Sequence, residues 1–256
     1  LGFAFVEVRP RVNRDRAARA INITFDISEG PRVFVERIEI VGNVRTSDKV
    51  IRREIQVAEG DAFNAAKIRR SRKRIRDLDY FSKVDIENIP GSSEDKAIVK
   101  VEVEEKSTGS LSIGVGFATD SGPLIDLGVK ERNLLGRGQR ISLNTSLAAE
   151  KTTFNLAFTE PYFLDREVSA GFDVFHTATD LQDTRSLDSR RTGVGLRLGY
   201  PLSEDLRQNL QYTFEFAEVK NVASNASVLI KAQERQRYVS KVGHVLAYDL
   251  RDSRLN

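Results

Sequence analysis

Seven cations fall within ten residues at Lys67-Ile68-Arg69-Arg70-Ser71-Arg72-Lys73-Arg74-Ile75-Arg76, the densest chemistry in the chain. Such a run can hold a polyanion, meet anionic lipid head groups or an acidic partner, or simply be the solvated face of a helix whose isoleucines are buried. No aromatic interleaves Lys67, Arg69, Arg70, Arg72, Lys73, Arg74 and Arg76 to stack on bases, so nucleic acid is not expected as a partner. Solvation is the plainer account of the run, with acidic lipid or protein as the functional one. Elsewhere the ingredients of catalysis are sparse. His176 and His244 are the two histidines, far apart and outside any ligand motif, and cysteine is absent. Glu104 and Glu105 point to opposite faces of a strand and do not make an acid/base pair. Gly114-Val115-Gly116 lacks the third glycine of a dinucleotide fingerprint, because position 119 is Thr119, and Gly193-Val194-Gly195 fails likewise at Leu198. The expectation is a non-enzymatic protein with no cofactor and no metal.

The elements that position these residues change character near Lys106. Among 256 residues, 40 Lys+Arg face 37 Asp+Glu, and the whole excess of +3 lies in residues 1–106. Most of the 17 glycines lie beyond Lys106. In the first region, Val33–Val41 reads as a strand stopped at Gly42-Asn43. Thr46 or Ser47 can cap a short helix through Ile55, and Asn64 a second one to about Tyr80, with Ile68, Ile75 and Leu78 on one face. Strands follow over Ser82–Ile89 and Ala97–Glu105, giving β-α-α-β-β. Upstream, Phe3–Val8 and Ala20–Ile27 read as two closing strands of a similar unit.

Beyond Lys106 the period is two. Leu111, Ile113, Val115 and Phe117 alternate with Ser112, Gly114, Gly116 and Ala118, and the pattern recurs to give eight strands. Asp126, Lys130, Asp173, Arg197 and Glu215 all fall on the non-apolar parity of their strands. A soluble sandwich also alternates, but its exposed face is usually richer in long charged chains, whereas a membrane barrel turns its apolar face to lipid. Ten residues tilted near 45° rise roughly 23 Å, close to the apolar band of such barrels. Tyr162, Phe163, Phe175, Tyr200 and Tyr248 lie near strand ends, where interfacial aromatics belong. Tight connections at Leu134–Gly138, Pro161–Arg166 and Pro201–Asp205 contrast with longer polar loops at about 178–189 and 220–235. The longest charge-free run, Ser107–Thr119, is too short for a membrane helix, which needs roughly 20 apolar residues.

Val33–Asn43, Glu59-Gly60-Asp61, the basic helix and Asp79-Tyr80-Phe81-Ser82-Lys83-Val84 together resemble a POTRA domain. Val101–Glu105 leading into Ser107–Gly116, then Glu131–Gly138 and Phe158–Leu164, resemble the POTRA-plus-barrel family of outer-membrane assembly and secretion proteins. The resemblance implies an α+β POTRA fold followed by an antiparallel transmembrane β-barrel, with about the first eight of sixteen strands present. It divides the chain into 1–31, the end of a truncated POTRA domain; 32–106, a complete one; and 107–256, the N-terminal half of the barrel. The absence of methionine, even at position 1, fits such a piece. The family's Val-Arg-Gly-Phe loop is expected beyond Asn256.

The implied location is a Gram-negative outer membrane with POTRA domains in the periplasm. Implied partners are unfolded outer-membrane protein clients, BAM-complex lipoproteins and outer-membrane lipids. The implied site is a lateral seam at the first barrel strand, Leu111, Ser112, Ile113, Gly114, Val115, Gly116 and Phe117, where client strands add. A second candidate edge is the POTRA strand carrying Val84, Asp85, Ile86 and Glu87. A related polypeptide-secretion transporter is the alternative function, and a soluble interaction module using the basic helix is a third.

Overall fold

The computed structural model describes residues 6–15, 20–29, 32–119, 121–180, 182, 187–203, 205–224 and 226–250. The chain divides into two compact units, Leu1–Lys106 and Ser107–Asn256.

In the first unit, β1 (Val6–Asp15) and β2 (Ala20–Glu29) form an antiparallel hairpin, Val6 opposite Glu29. The strand that the sequence ends at Val8 therefore continues to Asp15. Pro10 does not stop it, because β1 is an edge strand, where proline is tolerated. Phe3, the expected start of that strand, lies outside the described residues.

β3 (Phe34–Val41), α1 (Asp48–Arg52), α2 (Ala65–Asp77), β4 (Phe81–Pro90) and β5 (Lys96–Glu105) follow. Their sheet has the order β3-β5-β4, with β3 parallel to β5 and β4 antiparallel to it. Alternation puts Ala97, Val99, Val101 and Val103 of β5 on one buried face. Val84 and Ile86 of β4 join them, and Ile51, Ile68, Ile75 and Tyr80 close the same core. Burying a side chain such as Ile75 stabilises by about 2 kcal/mol, which is what fixes a helix so rich in cations to the sheet.

Asn64 caps α2, its Oδ1 accepting from the N–H groups of Ala66 (3.0 Å) and Lys67 (3.2 Å). The other expected cap differs. Ser47 occupies the cap position of α1 but makes no side-chain cap bond, and the helix ends at Arg52 rather than Ile55. The N–H groups of Arg45 and Thr46 donate to the Glu105 carboxylate instead, at 3.0 and 2.6 Å.

The second unit is an eight-stranded antiparallel meander. It contains β6 (Gly109–Ala118), β7 (Gly122–Leu134), β8 (Gln139–Ala148) and β9 (Lys151–Glu160). β10 (Ser169–Asp180), β11 (Asp188–Pro201), β12 (Leu206–Lys220) and β13 (Arg235–Tyr248) complete it. Each strand pairs with its sequence neighbours, and β6 and β13 are the two ends.

β7 to β8 and β11 to β12 turn tightly, and a 3₁₀ turn at Phe163–Asp165 leads into β10. The loop between β12 and β13 carries α3 (Val228–Lys231). Strands intrude on both stretches that the sequence presents as long loops. β10 runs to Asp180 and β11 begins at Asp188, because polar residues continue the ladder past the apolar stripe. The register keeps one face apolar: Ile113 opposes Leu127, Leu143 opposes Leu156, and Phe158 stacks on Phe172 at 5.5 Å between ring centres. No helix among the described residues is long and apolar enough to cross a membrane.

Candidate functional site

The polar face of the eight-stranded sheet is tied in its middle and slack at one end. Arg197 Nε lies 2.6 Å from Asp173 Oδ2, and its Nη2 donates to Thr159 Oγ1 and to the Phe158 carbonyl, joining β9, β10 and β11. Gly171 leaves the space that the guanidinium needs, since a Cβ there would stand 3.2 Å from Nη2 and 2.6 Å from the Phe158 oxygen. Farther along, Lys241 Nζ meets Glu215 Oε1 at 2.9 Å, fastening β13 to β12. Phe175 belongs to this face as well, its ring against Gly193. That corrects its expected place among the interfacial aromatics: it shares the parity of Asp173 in mid-strand.

β6 is built differently. Among the described residues it pairs with β7 alone, from Gly109 opposite Glu131 to Ala118 opposite Gly122. Leu111, Ile113, Val115 and Phe117 stand on the apolar face. Val115 is 82% exposed against 48% for Val129 inside the sheet, as befits a strand with one neighbour. On the polar face β6 offers Ser112, Gly114 and Gly116. Cross-strand side-chain pairs stabilise sheets by about 0.2–1 kcal/mol each, and glycine forgoes them. A Cβ on Gly114 would meet Asp126 Cβ at 3.6 Å, and one on Gly116 would meet Leu124 Cδ1 at 3.7 Å, both ordinary contacts. The glycines are therefore not forced by crowding within the sheet. Among the described residues, the side-chain tie from β6 to β7 is the long 3.4 Å approach of Ser112 Oγ to the Gly128 carbonyl.

The second edge is β4. Val84 and Ile86 are buried, Asp85 is half-buried and Glu87 exposed. α2 lies beside this strand and splits the basic run. Arg74 turns to the buried carboxylate of Glu54 at 3.0 Å. Arg72 turns to β4, its Nη2 donating to the Ile86 carbonyl at 2.7 Å and pairing with Asp85 Oδ1 at 3.0 Å. Lys67, Arg69, Arg70, Lys73 and Arg76 remain exposed. Sequence spacing alone gives no sign of the Arg72 contact, which joins residues 14 apart on two different elements.

Glu105 is another residue that sequence reasoning passes over in this role. Burial by itself would raise its pKa, but the hydrogen bonds from Thr46 and Arg45 outweigh burial and hold the carboxyl below its ordinary value. The histidines stay apart, with His176 Nδ1 2.7 Å from Thr192 Oγ1 and His244 Nε2 3.0 Å from Gln208 Nε2. Among the described residues, no group of histidines and carboxylates is arranged to hold a metal ion.

A two-faced antiparallel sheet of membrane-spanning dimensions, preceded by a β-α-α-β-β unit, defines the class of POTRA-plus-barrel membrane proteins. Residues 33–106 match the POTRA description (surface antigen variable number repeat), and residues 133–256 match the Omp85 superfamily domain. The chain thus carries a POTRA domain followed by an Omp85 superfamily domain, an arrangement of outer-membrane proteins whose POTRA domains lie in the periplasm.

It is similar to the outer membrane protein assembly factor BamA of Nitratidesulfovibrio vulgaris, 32% identical over 95% of this chain and 30% of that protein. BamA of Neisseria meningitidis serogroup B is likewise 32% identical, over 85% of this chain and 28% of the relative. The chain thus spans under a third of the length of these two relatives. The crystal structure of Haemophilus ducreyi BamA lacking POTRA domains 1–3 shares the fold, with a TM-score of 0.76 at 23% identity, covering 96% of this chain and 49% of that one.

Proposed function

We propose that this chain acts in the insertion and assembly of outer-membrane β-barrel proteins, as its similarity to BamA proteins supports. In this reading residues 1–31 close one POTRA domain, 32–106 form another, and 107–256 form the N-terminal half of a barrel. β6 is the seam at which an incoming client strand pairs. A sheet edge is a row of unmet N–H and C=O groups, which makes it a template for another strand. The observation that carries the reading is the inequality of the sheet: β6 lacks the charged cross-strand ties that fasten β9 to β11 and β12 to β13. β4 of the POTRA unit serves as a second edge, for clients or lipoprotein partners, and the exposed cations of α2 face acidic lipid or protein.

The test places a cysteine at Ser112 or Gly114 and others along the terminal strand of a client barrel, in proteoliposomes containing the whole protein. Register-specific disulfides that form during client folding and vanish on its completion are expected. Client folding accelerated with no such crosslink would overturn the seam. Steady conductance without accelerated folding would assign the protein to polypeptide secretion instead.

A further inference from the structure

The edge of β4 is not uniformly open. In an antiparallel ladder the N–H and C=O of one residue point to the same side, and alternate residues face away from the paired strand. Ile86 is such an outward position, and both of its backbone groups are taken. Its carbonyl accepts from Arg72 Nη2 at 2.7 Å, and its N–H donates to Asp85 Oδ1 at 2.9 Å. The same Asp85 oxygen holds Arg72 at 3.0 Å. Arg72 thus stands where an added strand would place its amide and Asp85 where it would place its carbonyl, at the centre of a ten-residue edge.

Two further atoms point to a ligand here. Arg72 Nε and Asn88 Oδ1 are buried and have no hydrogen-bond partner among the described residues. A buried polar atom left without a partner is unfavourable, so rearrangement that brings a donor and an acceptor here is favoured. Asn88 lies two residues beyond Ile86 on the same strand, and Arg72 reaches Ile86 itself, so both side chains belong to this part of β4. The surroundings are cationic: Arg69, Arg72 and Arg76 fall on one side of α2 by helical periodicity, and Arg69 and Arg76 are exposed.

We propose that Arg72 and Asp85 form a latch that closes the β4 edge at Ile86 and opens for an extended strand carrying a carboxylate able to take over the Arg72 guanidinium. The inference rests on reading β4 as a pairing edge and adds its selectivity. A neutral strand must displace Arg72 from Ile86 and leave its charge with Asp85 alone. An acidic strand displaces it onto its own carboxylate in a charge-assisted bond, so the exchange is nearly balanced and the backbone ladder decides. A half-exposed ion pair sets the scale of the selectivity at roughly three- to tenfold.

The whole protein in nanodiscs is titrated with a nine-residue blocked peptide of alternating valine and threonine bearing one central glutamate, and with its glutamine twin. Both carry a terminal photocrosslinker so that the attachment site can be mapped. Crosslinks on β4 and a three- to tenfold preference for the glutamate peptide are expected. Arg72→Gln should abolish the preference and strengthen binding of the glutamine peptide. Asp85→Asn frees Arg72 and should strengthen the glutamate peptide about threefold. Crosslinks on β4 with equal affinities in the wild type, or a preference that survives Arg72→Gln, would overturn the latch while leaving the edge. Crosslinks elsewhere in all three proteins would overturn the edge, and the latch with it.

Discussion

Replacing Gly116 by valine tests the seam most directly, because the sheet accepts the new side chain. A Cβ at this position meets only the Leu124 side chain, at 3.7 and 3.8 Å, ordinary contacts that call for no displacement. Glycine inside a strand is about 0.5–1 kcal/mol less favourable than alanine, and a β-branched residue fits the pleated surface better still. The added packing on Leu124 holds β6 on β7 more firmly by about 1 kcal/mol in total. If assembly requires β6 to separate and re-pair, that increment enters the barrier and slows client folding up to roughly fivefold. The assay is the rate of client-barrel folding in proteoliposomes, with urea stability of the same variant measured in parallel. Increased stability with an unchanged rate would refute β6 as the moving strand. Decreased stability would refute the inference that position 116 has room.

Three other outcomes follow from the POTRA unit. Gly42→Ala should destabilise it by about 2–4 kcal/mol, since φ is +90° and the new Cβ would run into the Val103 carbonyl; urea unfolding followed by limited proteolysis reads this out. Asn64→Ala removes the cap of α2, with a loss of about 1 kcal/mol and faster hydrogen exchange at Ala66 and Lys67. Glu105→Gln weakens the acceptor for Arg45 and Thr46 by about 1 kcal/mol at neutral pH. Because the folded-state pKa of Glu105 is depressed, its contribution is complete above the ordinary carboxylate value of 4.5 and disappears as pH falls through the folded value. Wild type and Glu105→Gln should therefore differ at pH 7 and converge in acid, and a difference independent of pH would contradict the assignment.

The eight strands were legible because alternation is a strong signal when one face is apolar and the other carries Gly, Ser and Asn. Strand ends were less so: Thr179 and Asp188 look like loop, yet their backbones continue the ladder, and the hydrogen bonds that hold them do not depend on side-chain polarity. The edge position of β6 follows from chain order, since the first strand of a meander has a single neighbour within it. The reach of Glu105 to Arg45 and Thr46 was invisible, as it spans about 60 residues between the ends of two elements. Likewise Arg72 reads as one cation among seven, and only the packing of α2 beside β4 distinguishes it from Arg69 or Arg70.

The short passage from β5 to β6 has a mechanical consequence. β5 is the middle strand of its sheet, bonded to β3 on one side and β4 on the other. The Lys106 N–H donates to the Tyr80 carbonyl, and the Thr108 carbonyl accepts from Arg132, so Ser107 is the one residue between the two anchorages. From the Cα of Glu105 to that of Gly109 the chain reaches roughly 14 Å at full extension. A larger excursion of the start of β6 must draw on β5 itself, and a pull along a strand clasped on both flanks loads all of its hydrogen bonds together. The tether acts as a stop: the root of β6 stays within that reach of the middle strand of the preceding sheet.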